Sequence, residues 1–161
     1  MANADRPRGF RPEGKVKQVA IMESGSACYP GDFVSLASDG QVDPSAATAD
    51  ILGLCLDYAS GAGVAVRVSV DPSQIYIGQC DSADINVQTD IGQTCDILGT
   101  AGDSTYKQSR QEIAGSSIGN SQQLLLLGLA PEAGNAFGAN AAVRVKINQN
   151  QAFGETDLAS V

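Results

Sequence analysis

Between the breaks Ser60-Gly61-Ala62-Gly63 and Asp71-Pro72-Ser73, Val64, Val66, Val68 and Val70 alternate with Ala65, Arg67 and Ser69. A strict period of two puts every valine on one face of an extended strand and Arg67 on the other, which a helix of 3.6 residues per turn cannot do. Val143, Val145 and Ile147 repeat the pattern against Arg144, Lys146 and Asn148. Elsewhere short apolar runs are separated by turn-forming clusters, for which 18 glycines and frequent Asp-Gly or Gly-Asp steps supply the residues. The chain reads as all-β, a compact β-barrel or sandwich-like single domain.

Individual strands follow from their breaks. Tyr29-Pro30-Gly31-Asp32 has Pro and Gly at the centre of a type II turn. Residues 33–36 are a short apolar strand, Ser38-Asp39-Gly40-Gln41 turns it, and Val42 begins the return, so 33–43 reads as a hairpin. Residues 51–58 are apolar enough for a strand buried on both faces, and with 64–70 and 74–79 they resemble a meander. Val16, Val19 and Ile21 suggest a weakly patterned first strand, 81–93 an irregular turn or a single helical turn, and 95–98, 105–113 and 122–129 further strands. Residues 99–103 and 115–121 are the turns between them, and 132–142 a loop. Gly31 to Gln41 and Gly92 to Ser104 run alike as Gly, polar, apolar, apolar. A duplicated hairpin would produce that echo, and the turn-forming habit of Gly and Asp is the simpler account.

The first seventeen residues differ from the rest. Arg6, Arg8, Arg11, Lys15 and Lys17 are five of the chain's 10 cations, and against Asp5 and Glu13 they leave this segment at +3, so the remainder of a chain of net charge −8 sums to −11. Pro7, Pro12, Gly9 and Gly14 forbid a regular helix, and Phe10 alone cannot make a core. Ordering such a segment costs on the order of 1 kcal/mol per residue, while burying Phe10 returns about 1.5–3 kcal/mol. Residues 1–17 are therefore expected to be an extended basic docking arm that gains order on another surface. Residues 18–150 form the β-rich body, long enough for one core, and 151–161 a polar tail. No apolar run approaches membrane-spanning length and the start lacks the apolar stretch of a secretion signal, so a soluble protein that is not exported is expected.

Much chemistry lacks its residues. The chain has no His, which removes the usual general base and the partner of a nucleophilic Ser or Cys. No phosphate-binding loop, nucleophile elbow or dinucleotide fingerprint is present. Cys28, Cys55, Cys80 and Cys95 form no Cys-x-x-Cys pair, and a zinc site would need all four thiolates; reduced, buried cysteine is the simpler reading. Asp81, Asp84, Asp90 and Asp96 lack the ladder and closing Glu of a calcium loop. No enzyme activity, metal or cofactor is expected. The arm has too few cations beside an acidic body for a nucleic-acid reader, and four Tyr and four Phe without Trp offer a glycan few stacking platforms. A glycan or host-surface module and a nucleic-acid accessory protein are the alternatives.

Four stretches carry a resemblance. Met1-Ala2-Asn3-Ala4-Asp5-Arg6-Pro7-Arg8-Gly9-Phe10-Arg11-Pro12, the Tyr29-Pro30-Gly31-Asp32 turn with Ser38-Asp39-Gly40, Asp103-Ser104-Thr105-Tyr106-Lys107-Gln108-Ser109-Arg110, and Ala139-Asn140-Ala141 leading into residues 143–148 resemble head decoration, or cement, proteins of tailed double-stranded DNA bacteriophages. The resemblance implies a small β-rich protein, often trimeric, made in the host cytoplasm and bound to the outer capsid surface. There it would staple neighbouring major capsid proteins against internal DNA pressure, with no role for nucleic acid or membrane. On that reading Arg6, Pro7, Arg8, Phe10, Arg11, Pro12, Lys15 and Lys17 bind the capsid. Leu124, Leu125, Leu126, Leu127 and Tyr106 are candidates for the contact between copies.

Overall fold

The computed structural model describes residues 3–82, 88–119 and 121–151. Among them the chain builds strands and no α-helix: Arg11–Pro12 (β1), Val19–Glu23 (β2), Phe33–Leu36 (β3), Val42–Pro44 (β4), Gly53–Cys55 (β5), Ala65–Ser69 (β6), Ile75–Gln79 (β7), Thr94–Leu98 (β8), Glu112–Gly119 (β9), Leu124–Leu129 (β10) and Ala142–Ile147 (β11), with a 3-10 turn at Gln88–Asp90. They form two antiparallel sheets, ordered β2-β6-β5-β3-β4 and β1-β7-β11-β10-β8-β9. The protein is all-β, and neither sheet is a closed barrel.

Apart from β1, the two sheets have one topology. β2 through β6 take the same places in the first sheet that β7 through β11 take in the second. The registers agree as well: Glu23 faces Ala65 as Gln79 faces Ala142, and Cys55 faces Val68 as Leu126 faces Val145. Val34 faces Gly53 as Cys95 faces Leu124, and Leu36 faces Val42 as Ile97 faces Ile113. One parallel bridge brings the end of β2 to β4, Ser24 to Val42, and its counterpart brings the end of β7 to β9, Cys80 to Ile113. The next N–H then reaches the same carbonyl at 2.9 Å in both halves, Gly25 to Val42 and Asp81 to Ile113. Gly31 and Gly92 occupy equivalent turns at φ +98° and +90°, where a Cβ would be strained, and their N–H groups bond the carbonyls of Cys55 and Leu126 at 3.0 and 2.8 Å. The echo between Gly31 and Gly92 is thus positional as well as compositional, which corrects the reading from turn chemistry alone. Ala65-Val66-Arg67-Val68 and Ala142-Val143-Arg144-Val145 are the same four residues at the same place.

Two apolar clusters hold the sheets. The larger takes Phe33, Ile51 and Leu54 from the first half and Tyr76, Ile97, Ile113, Leu124, Leu126, Val143, Val145 and Ile147 from the second, so it joins the halves. The smaller lies within the first half and contains Val34, Val42, Cys55, Val66 and Val68. Each such side chain fully removed from water contributes about 1.5–3 kcal/mol.

Several local expectations change. The strand expected over 51–58 is confined to Gly53–Cys55, where the Ser69 backbone passes so close to Gly53 that a Cβ there would collide with it. β7 does not continue the meander, because the chain crosses to the second sheet after Asp71-Pro72. Its Tyr76 points inward, its hydroxyl paired with Ser69 Oγ at 3.0 Å. Residues 105–111 are not a strand; β9 starts at Glu112 and runs to Gly119, through the stretch expected to turn, because β8 offers it a backbone partner. Part of the irregular stretch 81–93 and nearly all of the tail 151–161 lie outside the described residues.

Candidate functional site

The basic segment lies on the edge of the second sheet. Asn3 brackets the loop beyond β10, its Nδ2 donating to the carbonyls of Ala136 and Ala139 at 2.8 and 2.9 Å. The Arg6 N–H donates to Gln79 Oε1 at 3.0 Å and the Phe10 N–H to the Gly31 carbonyl at 2.8 Å. Arg11 and Pro12 then pair with Ile77 and Tyr76, and the Glu13 N–H reaches the Ile75 carbonyl at 2.8 Å. Pro12 fits because an edge strand tolerates a missing N–H.

Phe10 decides the placement. It is 2% exposed, its ring centroid 4.3 Å from that of Phe33, which meets Tyr76 edge-on at 5.1 Å. It sits over Gly78, where a Cβ would run into its ring. The expectation that this segment is ordered by a foreign surface is therefore corrected for residues 9–13. Phe10 belongs to the protein's own core and is closed to a capsid.

The charged side chains remain outside. Arg144 grips the Glu13 carboxylate with Nε at 2.9 and 3.1 Å, and Arg11 pairs with Glu132. Arg6, Arg8, Lys15 and Lys17 are exposed, and among the described residues the Arg6 and Arg8 guanidiniums make no ion pair. Pro7 is half-buried beside them. Arg6, Arg8 and Arg11 line an open cleft of about 410 Å³ between the arm and the start of β11, with Glu132 as its one carboxylate. On a chain of net charge −8 this is a local reversal of sign.

Behind the cleft the signs reverse again. Gln79 Nε2 donates to Asp5 Oδ1 at 3.2 Å and Glu112 Oε1 at 3.3 Å, holding two carboxylates near one amide. Burial first, then the charges of Asp5 and Asp81, push Glu112 up to about 7. Glu112 was not among the residues expected to matter, and its neighbours converge from two separated segments, the arm at Asp5 and residues 79–81.

The leucine run divides. Leu124 and Leu126 are fully buried and cannot form a contact between copies, a correction to that expectation, because alternate residues of β10 face opposite ways. Leu125 is half-buried on the opposite face, and Leu127, at the bulge between Leu126 and Gly128, is half-buried as well. Tyr106 is 79% exposed at the tip of a turn fixed by Asp103, whose carboxylate accepts the N–H groups of Thr105 and Tyr106 at 2.8 and 3.1 Å and Arg110 at 2.6 Å. Those bonds, the Tyr106 N–H first, hold Asp103 below the usual carboxylate range. Beneath, Ser109 donates to the buried Asp32 at 2.5 Å, so the turn is anchored although its tip is open. The four cysteines are buried, Cys28 and Cys55 in the smaller cluster, Cys80 and Cys95 in the larger. Among the described residues no group of three His, Cys, Asp or Glu is placed to hold a metal ion.

No protein-family model, curated protein or solved structure matches the chain.

Proposed function

We propose that the protein is a capsid decoration protein of a tailed double-stranded DNA bacteriophage. It fastens neighbouring major capsid proteins from outside the shell, associates as a homotrimer there, and carries out no chemistry of its own. The sequence resemblance motivates the family. The observation that carries the site is the arm: a buried Phe10 pins it to the body while Arg6 and Arg8 stay exposed and, among the described residues, outside every ion pair. A cation held out from an acidic body by a rigid anchor avoids the ordering cost that a free tether would meet on docking.

The division of labour differs from a simple docking arm. Phe10 positions the segment, and Arg6, Arg8 and Lys15 meet the shell. The test adds purified protein to capsids that lack it. Arg6→Glu with Arg8→Glu is expected to leave the unfolding midpoint unchanged and to abolish decoration, and wild-type binding is expected to weaken with salt, since exposed charges are screened within about 10 Å at 0.1 M. Undiminished decoration by the doubly reversed variant overturns the role of the arm. Binding to bare nucleic acid in preference to empty capsids overturns the function.

A further inference from the structure

The two halves differ in one edge. In the second, β1 covers β7 opposite Tyr76 and Ile77, and Ile77 is 7% exposed. The equivalent residue of β2 is Ile21, since Glu23 and Gln79 hold the same register position. Ile21 is 75% exposed and Val19 48%, and β2 ends its sheet. The backbone repeats the asymmetry. Val70 donates to the Gln18 carbonyl and Ser24 to that of Val64, so even-numbered residues of β2 bond β6 while Val19 and Ile21 aim theirs outward. Ile75 uses the same outward carbonyl to hold Glu13. The second half also shows that a strand fits here beside the parallel bridge, because β1 and the Cys80 to Ile113 bridge share the β7 edge.

We propose that a second copy of this chain occupies the edge, β2 pairing antiparallel with β2 about a twofold axis at Ala20. Val19 then lies opposite Ile21 of the other copy, in both directions, and four outward N–H and C=O pairs close between these residues. On the same face Lys17 of one copy comes opposite Glu23 of the other, an opposite-charge pair formed twice. An arm segment like residues 9–13 is the poorer occupant. Phe10 is received over Gly78, and the equivalent position on β2 is Met22, whose own side chain packs there. β2 of a second copy brings only Ala20 to the axis. Residues 17–23 are far fewer than the roughly 20–30 residues a side of a standard stable interface, so the pairing is concentration-dependent. It is twofold and independent of the threefold association in the proposed function.

Sedimentation equilibrium of the full chain over micromolar to millimolar concentration is expected to show species of twice the 16.5 kDa monomer. Amide exchange at Val19 and Ile21 is expected to slow with concentration while Ala20 and Met22, already bonded to β6, do not change. Ile21→Lys should weaken association by about tenfold or more at an exposed position that leaves the fold intact. Lys17→Glu should weaken it, and Lys17→Glu with Glu23→Lys should restore it. A monomer throughout the range, a self-association unaffected by Ile21→Lys, or protection of Val19 and Ile21 only on adding capsid protein each overturns the proposal; the last identifies a foreign strand as the occupant.

Discussion

Replacing Phe10 by Ala tests whether the arm is part of the fold. If the arm stayed in place, the substitution would leave a cavity against Phe33 and Gly78 and lose about 3–5 kcal/mol, as for other buried Phe to Ala changes. The arm has another course. Letting go forfeits the Phe10 and Glu13 backbone bonds at about 1 kcal/mol each, and regains about 1–2 kcal/mol of chain entropy for each freed residue. Without the aromatic ring, release is the cheaper route, and the expected loss falls to about 2–3 kcal/mol. For a chain of this size that is a fall of roughly 4–12 °C in the unfolding midpoint. The same variant should be cut by trypsin after Arg8 much faster than the wild type, before the body unfolds; Arg6 and Arg11 precede proline and resist the enzyme. A loss under about 0.5 kcal/mol, the scale of surface substitutions, together with unchanged cleavage, would show that Phe10 is not a core residue. Deleting residues 1–14 removes the same anchor and should cost a similar amount, so impaired capsid binding by that truncation must be read beside its stability.

Two further perturbations address the groups around the arm. Glu112 keeps its proton in the folded protein up to about pH 7, whereas its ordinary value is 4.5. The folded state therefore binds more protons between these values, and stability should fall as pH rises through that window and level off above it. Urea unfolding at pH 5 and pH 8 measures the slope, and Glu112→Gln should flatten it; an unchanged slope would place its origin elsewhere. Gln111 is buried, its Oε1 accepting the Phe33 N–H at 2.7 Å and its Nε2 donating to the Phe33 carbonyl at 3.2 Å. Gln111→Leu leaves the Phe33 N–H unpaired while the Phe33 carbonyl keeps the Ser45 N–H at 2.8 Å, so a loss of about 1–3 kcal/mol is expected in urea, and a neutral outcome would mean that water replaces the amide.

The strands that alternate could be read because one side of each is wet: 64–70, 143–147 and the hairpin 33–43 were all visible. β9 was not, since Gly115, Ser116 and Ser117 read as a turn and are carried in the strand only as a bulge between Ala114, paired with Asp96, and Gly119, paired with Thr94. Gln111, Gln123 and Gln151 were equally silent. Each bonds the backbone of a distant strand, at Phe33, Ile97 and Leu36, and a polar residue inside a core looks no different in sequence from one in a loop. The arm's charge was legible and its anchor was not, because nothing in residues 1–17 reveals that a glycine near position 78 leaves room for an aromatic ring.

That glycine explains why one arm serves one half only. Gly78 and Met22 hold equivalent places, facing Val143 and Val66 across the same strand pair. Met22 packs on the smaller cluster with its own side chain, and Gly78 has none, so Phe10 arrives from the arm to fill the space. The arm then acts as a side chain that the second half lacks, and the prediction is a change of sign. In the wild type, Gly78→Met should compete with Phe10, expel the arm and destabilise, since adding volume to a filled core typically costs about 1–3 kcal/mol. In the Phe10→Ala background the same methionine should fill the vacated space and raise the midpoint. A double-mutant cycle by urea unfolding measures the difference, which for two residues in contact should exceed about 1 kcal/mol. Equal destabilisation by Gly78→Met in both backgrounds would mean that Phe10 and residue 78 do not share one space, and the arm would lose its structural reason for choosing this edge.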